Sequence, residues 1–116
     1  MEMTEVIDYI NNIRNQASEI LKKEIPTLVE VRSNWSGGSH LMDLITNKIE
    51  LEYSTVLNIV RIDFDAHKEL FNCIGIERAP AFLFIKNGNI IEIIKECVSK
   101  KSLEKIISNL MSGNKS

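Results

Sequence analysis

Apolar residues recur along this chain with two spacings, one typical of helices and one typical of strands. Intervals of three and four residues predict amphipathic helices, and short runs rich in β-branched residues predict strands. The predicted helices cover residues 5–23, 41–51 and 66–74, and a last helix, capped by Ser99, carries the apolar residues from Leu103 to Met111. The predicted strands cover residues 27–32, 56–64, 81–86 and 89–95.

Turn-forming residues separate these elements. Pro26 ends the first helix, because the residue before a proline is pushed out of the helical region. Gly75 is placed to end the third helix. Asn87-Gly88 stands between two apolar strands and predicts a two-residue hairpin of type I′.

The order helix–strand–helix–strand–helix–strand–strand–helix predicts an α/β fold. A strand–helix–strand unit needs a right-handed crossover, which makes the first two strands parallel. The closing hairpin adds an antiparallel pair. We therefore expect three layers, α/β/α, around a central mixed sheet of about four strands, with four helices on its two faces.

Length, charge and cysteine content narrow the class of protein. The 116 residues suit one domain over 1–116, with a core over about 4–111 and a flexible tail over 112–116. The formal net charge of −2 gives no reason to expect nucleic acid or an anionic membrane as partner. The first residues lack a secretory signal and no apolar run could cross a bilayer, so we expect a cytoplasmic protein. Cys73 and Cys97 stand far apart and predict neither a metal site nor a disulfide framework, and we expect no cofactor.

The stretch from Trp35 to His40 carries the clearest functional signal. It lies between the predicted strand 27–32 and the predicted helix 41–51. A glycine turn at that place presents side chains at a helix N-terminus, where backbone N–H groups point outward. Ser36 and Ser39 have the spacing of a C-x-x-C pair, which as thiols would make this stretch a redox motif.

The chain resembles the thioredoxin family over nearly its whole length. The resemblance depends on several fragments whose order and spacing agree with that family without forced gaps. Ser36-Gly37-Gly38-Ser39 stands where the family has Cys-Gly-Pro-Cys. The other fragments are Leu28-Val29-Glu30-Val31 followed by Trp35, Ile62-Asp63-Phe64-Asp65, Ile76-Glu77-Arg78-Ala79-Pro80-Ala81 and Phe84-Ile85-Lys86-Asn87-Gly88. The resemblance implies a thioredoxin-like fold.

The resemblance also implies a dithiol reaction for which this sequence lacks the sulfur atoms. In the family, the first cysteine attacks a substrate disulfide as a thiolate and the second resolves the mixed disulfide. Disulfide exchange requires a sulfur nucleophile, which a serine hydroxyl cannot replace. With Ser36 and Ser39 at the two positions, we expect no dithiol exchange, and whether the chain is an enzyme stays open.

The residues around the motif are largely those that the resemblance implies. Glu30 stands at the position of the family's buried acid, and Arg61 on the next strand is placed to form an ion pair with it. Pro80 resembles the family's cis-proline, which faces the motif. By this resemblance, the surface expected to bind a protein or an extended peptide consists of Trp35, Gly37, Gly38, Ala79 and Pro80.

Other chemistry near the motif has weaker support. Ser36, His40 and Glu30 invite comparison with a serine-hydrolase triad, which needs an oriented base and an oxyanion hole. A solvent-exposed histidine in the first helical turn is the simpler interpretation. Cys97 could act as a lone reactive thiol near the groove, although a small packed residue is more common at a strand end.

Two functional interpretations follow from the sequence. The first is a thioredoxin-like protein without redox activity, which uses the retained groove as a binding or scaffold module. The alternative is a thiol-disulfide oxidoreductase whose two active-site cysteines were changed to serine by experiment. Gly38, His40 and Glu96 also depart from the family pattern and would serve no experimental purpose, which favours the first interpretation.

Overall fold

The computed structural model describes residues 8 and 25–111, and the second range holds four strands and three helices. The strands are β1 (Thr27–Arg32), β2 (Asn58–Asp63), β3 (Ala81–Lys86) and β4 (Asn89–Ile94). The helices are α1 (Gly37–Tyr53), α2 (Lys68–Asn72) and α3 (Lys100–Met111). The predicted helix 5–23, except Asp8, and the predicted tail 112–116 lie outside the described residues.

The four strands form one mixed sheet in the order β2-β1-β3-β4. β1 pairs with β2 in parallel and with β3 in antiparallel, and β4 pairs with β3 in antiparallel. Both the parallel first pair and the closing antiparallel hairpin were predicted from the order of elements, and both are confirmed. The register places Glu30 of β1 opposite Arg61 of β2.

Side chains of alternate residues point to opposite faces of the sheet and form two apolar clusters. On one face, Val29, Val31 and Leu83 pack with Phe71 of α2. On the other face, Leu28, Phe82 and Phe84 pack with Met42 of α1 and Leu103 of α3. The sheet therefore lies between helices on both sides, as the α/β/α prediction requires.

Helix α1 begins at Gly37, four residues before the predicted start at Leu41. Ser36 has extended backbone angles and caps the helix, because its Oγ accepts a hydrogen bond from Ser39 N at 3.0 Å. The apolar periodicity starts only at Leu41, so it did not predict the first turn of the helix. Gly37, Gly38 and Ser39 are thus part of the helix rather than of a preceding turn.

The turns between the later elements agree with the sequence signals. Asn87 and Gly88 connect β3 and β4 with φ angles of 54° and 80°, which is the backbone that a type I′ turn requires. Gly75, with a φ of 86°, follows α2, which is shorter than the predicted helix over 66–74. Within the described residues, no helix is long and apolar enough to span a membrane.

Candidate functional site

Ser36 connects the start of α1 to the segment that precedes β3. Its Oγ accepts a hydrogen bond from Ser39 N at 3.0 Å and donates one to the Ala79 carbonyl oxygen at 3.2 Å. The hydroxyl that stands at the predicted attacking position therefore has both a donor and an acceptor inside the protein. In this structure Ser36 acts as a helix cap and as a link between two chain segments.

Ser39 is fully buried beneath the motif. Its Oγ accepts a hydrogen bond from Ser33 N at 3.1 Å, which ties α1 to the end of β1. Ser33 in turn accepts a hydrogen bond from Trp35 N at 3.1 Å and donates one to the Asp65 carboxylate. Ser33 is not among the predicted site residues; its only signal in the sequence is a small hydroxyl side chain between a buried strand and the motif.

Gly38, Pro80 and Cys97 converge at the first turn of α1. A Cβ atom added to Gly38 would lie 2.9 Å from Cys97 Sγ and 3.1 Å from Pro80 Cδ, so a side chain at this position would require these neighbours to shift. The Ala79–Pro80 peptide bond is cis. At Gly37, by contrast, an added Cβ would meet no atom within 4 Å.

These contacts, together with Trp35, which directly precedes Ser36, define a surface that we call the motif surface. Trp35 is 89% exposed, and Cys97 is exposed as well. The remaining members are half-buried, so the patch has an exposed aromatic group beside a partly enclosed floor. The motif surface consists of Trp35, Ser36, Gly38, Ala79, Pro80 and Cys97.

The side chains weighed for a hydrolase triad are engaged elsewhere. His40 Nε2 lies 3.0 Å from the Asn34 carbonyl oxygen, within hydrogen-bonding distance. Ser36 Oγ is bonded to Ala79 and Ser39. Glu30 pairs with an arginine on the neighbouring strand rather than with the histidine. The arrangement lacks the base-to-nucleophile contact on which such a triad depends.

Glu30 is a fully buried carboxylate on β1, on the sheet face that α1 covers. Its Oε1 accepts a hydrogen bond from Arg61 Nε at 3.1 Å, which is the expected ion pair, whereas Oε2 has no hydrogen-bond partner in the described part of the chain. Burial disfavours the charged form and raises the pKa of Glu30 to about 7. The Asp43 carboxylate adds to this rise, and Arg61 opposes it.

A second ion pair fixes α1 to the sheet. Arg32 at the end of β1 donates from Nε and Nη2 to the two oxygens of Asp43, each at 2.9 Å. This forked contact with Arg32 is the main reason that the pKa of Asp43 lies below its ordinary value. This pair was not predicted, because its members are on different elements and have no characteristic spacing.

Neither cysteine is part of a disulfide. Cys73 and Cys97 are both exposed free thiols, and Cys97 Sγ lies 3.9 Å from the Gly38 carbonyl oxygen. Across residues 8 and 25–111, no group of three or more histidine, cysteine, aspartate or glutamate side chains is arranged to hold a metal ion.

Comparison with known proteins agrees with this architecture. The family model described as Thioredoxin matches residues 9–109. Thioredoxin of Porphyra purpurea is 23% identical over 94 residues, which cover 81% of this chain and 88% of that protein. Thioredoxin 1 of Synechococcus elongatus is 25% identical over 85 residues, covering 73% of this chain and 79% of that protein.

A solved structure shares the fold. The structure described as that of a malarial protein superposes with a TM-score of 0.68 at 15% identity, covering 75% of this chain and 98% of that one. At this identity the likeness concerns the fold alone. Since the family model spans most of the chain, from residue 9 to residue 109, the chain belongs to the thioredoxin family.

Proposed function

We propose that this chain is a thioredoxin-family protein that binds an extended segment of a protein partner on the motif surface and performs no dithiol exchange. One observation carries the proposal. The contacts that build the motif surface are present, while both motif hydroxyls, on Ser36 and Ser39, are already hydrogen-bonded within the protein.

Exposure of Trp35 supports a binding role. An indole ring that is 89% exposed can bury a large apolar area on association, and tryptophan is over-represented among the residues that dominate binding energy. The Ala79 carbonyl oxygen accepts one hydrogen bond, from Ser36. Because a carbonyl oxygen has two lone pairs, it can still accept an N–H group from a peptide laid along Pro80.

The positions of the two cysteine residues support the absence of dithiol exchange. Positions 36 and 39 carry hydroxyls, and exchange requires one sulfur to attack and a second to resolve the product. Cys97 supplies one thiol on the motif surface, and Cys73 is a separate free thiol. A single thiol could form a mixed disulfide but has no partner there to release it.

The proposal can be tested with a display library of random decapeptides selected against the full chain. We expect selected peptides to bind about thirtyfold more weakly to the W35A variant, since an aromatic anchor of this kind contributes about 2 kcal/mol or more. L51A is the matched control, because Leu51 is 84% exposed on α1 and lies outside the motif surface. Titration by calorimetry gives the affinities.

Two results would contradict the proposal. One is a selection that yields no binding peptide. The other is a set of peptides whose affinities for W35A and L51A are equal to each other and to that of the unaltered chain. Circular dichroism of each variant establishes that the fold is retained.

The alternative, an oxidoreductase with its cysteines replaced, is decided by the S36C/S39C variant in a C97S background. Efficient insulin reduction would show that the scaffold remains competent, and failure by a correctly folded variant would eliminate the alternative.

The cytoplasmic location is likewise part of the proposal. Fractionation of the source cells, with detection of the untagged protein, tests it.

A further inference from the structure

A surface cavity of about 330 Å³ is lined by Gly75, Glu77, Arg78 and Lys95, of which Arg78 directly precedes Ala79 of the motif surface. We propose that this cavity, which we call the cationic cavity, binds a carboxylate group of the partner peptide. This inference rests on the proposed function, because it names a chemical requirement on the peptide that the motif surface would hold.

The residues that line the cationic cavity belong to chain segments that also carry members of the motif surface. Arg78 directly precedes Ala79, whose carbonyl oxygen is bonded to Ser36. Lys95 is close in sequence to Cys97, whose Sγ approaches Gly38. A peptide that crosses Pro80 in an extended conformation would therefore reach the cavity within a few residues.

Two cations in the cavity are available to a ligand. Arg78 and Lys95 form no ion pair with any of the described residues, whereas Arg32, Arg61 and Lys100 each do. Glu77 also lines the cavity, which leaves one net positive charge among its lining residues. The neighbouring Glu96 is exposed but does not line it.

Gly75 makes room for the lysine ammonium group. Lys95 Nζ lies 3.1 Å from the position that a Cβ atom would occupy on Gly75. The φ of 86° at Gly75 belongs to the left-handed region, which favours glycine over residues with a side chain. The absence of a side chain thus lets the ammonium group lie against the turn that follows α2.

The chemistry of the two cations favours a carboxylate. A guanidinium group matches the two oxygens of a carboxylate with parallel N–H donors, and an ammonium group adds a point charge. An aspartate or glutamate side chain and the C-terminal carboxylate of a peptide share this chemistry. Peptides that differ in one of these two groups distinguish the sources.

The test starts from the decapeptides that bind the unaltered chain. One selected peptide is synthesised with its acidic residue, with the corresponding amide residue, and with a free or amidated C-terminus. We expect loss of the relevant carboxylate to weaken binding about fivefold or more. This is the effect expected when a partly exposed carboxylate forms one ion pair with each of two cations. A preference limited to the C-terminal form identifies the terminal carboxylate as the source.

Substitution of the cations provides the second arm. We expect R78Q/K95Q to bind the acidic and the amide peptides equally, at the affinity that the unaltered chain has for the amide peptide. R78K, which keeps the charge, should retain part of the preference, and K101Q, an exposed lysine on α3, should retain all of it. Arg78 and Lys95 are both exposed, so the double variant is expected to fold.

The outcomes separate this inference from the proposed function. Peptides whose binding depends on Trp35 but not on a carboxylate would overturn the proposal that the cationic cavity binds a carboxylate, and would leave the proposal of peptide binding intact. A carboxylate preference that survives in R78Q/K95Q would lead to the same conclusion. Failure of all peptides to bind in a Trp35-dependent manner would overturn both proposals.

Discussion

Glu30 shows how one residue combines a structural contact with an electrostatic cost. Its carboxylate is fully buried, yet Arg61 contacts only one of its two oxygens. Arg61 is itself shared, because it also donates to Glu50 and Asn47. The ion pair therefore offsets only part of the free energy that is needed to remove the charge from water.

This imbalance predicts that stability depends on pH. The pKa of Glu30 is raised from an ordinary 4.5 to about 7 in the folded chain. A carboxyl group whose folded pKa is raised stabilises the protein fully below the unfolded pKa and loses that contribution as the pH rises through the folded value. We expect the free energy of unfolding to fall by up to about 3 kcal/mol between pH 5 and pH 8, with the E30Q variant lacking most of this slope.

Urea unfolding followed by circular dichroism at several pH values measures the effect. E92Q is the matched control, because Glu92 is exposed on β4, and it should keep the slope of the unaltered chain. Equal slopes in E30Q and in the unaltered chain would show that another group is responsible.

At the scale of a single element, α1 shows what sequence patterns convey and what they miss. The periodicity from Leu41 onward predicted the body of the helix, because those side chains face the core at regular intervals. The first turn is stabilised differently, by a hydroxyl cap at Ser36 and by a buried hydrogen bond from Ser33 to Ser39. Such contacts have no periodic signal, so the apolar pattern alone places the helix start too late and does not point to Ser33, whose only signal is a small hydroxyl residue after a buried strand.

The two glycines of the first turn predict opposite effects on substitution. G37A should stabilise the protein by up to about 1 kcal/mol, because alanine favours a helix and its Cβ meets no neighbour. In G38A the same helix preference is opposed, because the added atom would lie too close to Cys97 Sγ and Pro80 Cδ, and we expect a net destabilisation of up to about 2 kcal/mol. Urea denaturation of the two variants measures the difference.

A combined variant shows whether the overlap is the cause. Since serine is smaller than cysteine, C97S should recover part of the loss in G38A while having little effect on G37A. If G37A and G38A change the free energy of unfolding equally, the close approach of Gly38 to Cys97 and Pro80 is not a significant constraint.

At the scale of the whole molecule, the sheet separates two apolar clusters that pack on its two faces. The order of elements predicted the sheet and its mixed pairing, since short connections allow few topologies. It did not predict which distant side chains would meet. Gly38 with Cys97, and Arg78 with Lys95, come together only when separate segments pack, and sequence spacing alone carries no information about such pairs.

The two clusters predict a single unfolding transition. L83A, on the α2 face, and L103A, on α3, should each lower the free energy of unfolding by about 2–5 kcal/mol, because both side chains are fully buried. I91A on β4 is the control, and its 49% exposed side chain should contribute less than about 1 kcal/mol. Circular dichroism and hydrodynamic radius should change together in every variant.

Separate transitions for the two measurements in L83A or L103A would show instead that the faces of the sheet unfold independently.

The linked hydroxyls at the start of α1 affect how this chain could evolve. Ser36 accepts a hydrogen bond from Ser39 N, and Ser39 accepts one from Ser33 N. Because sulfur is a weak acceptor, a single change of either serine to cysteine would weaken one of these bonds without creating a dithiol. A chain that acquired thiols at positions 36 and 39 one at a time would therefore pass through a variant with one weakened hydrogen bond and with a single thiol in the motif.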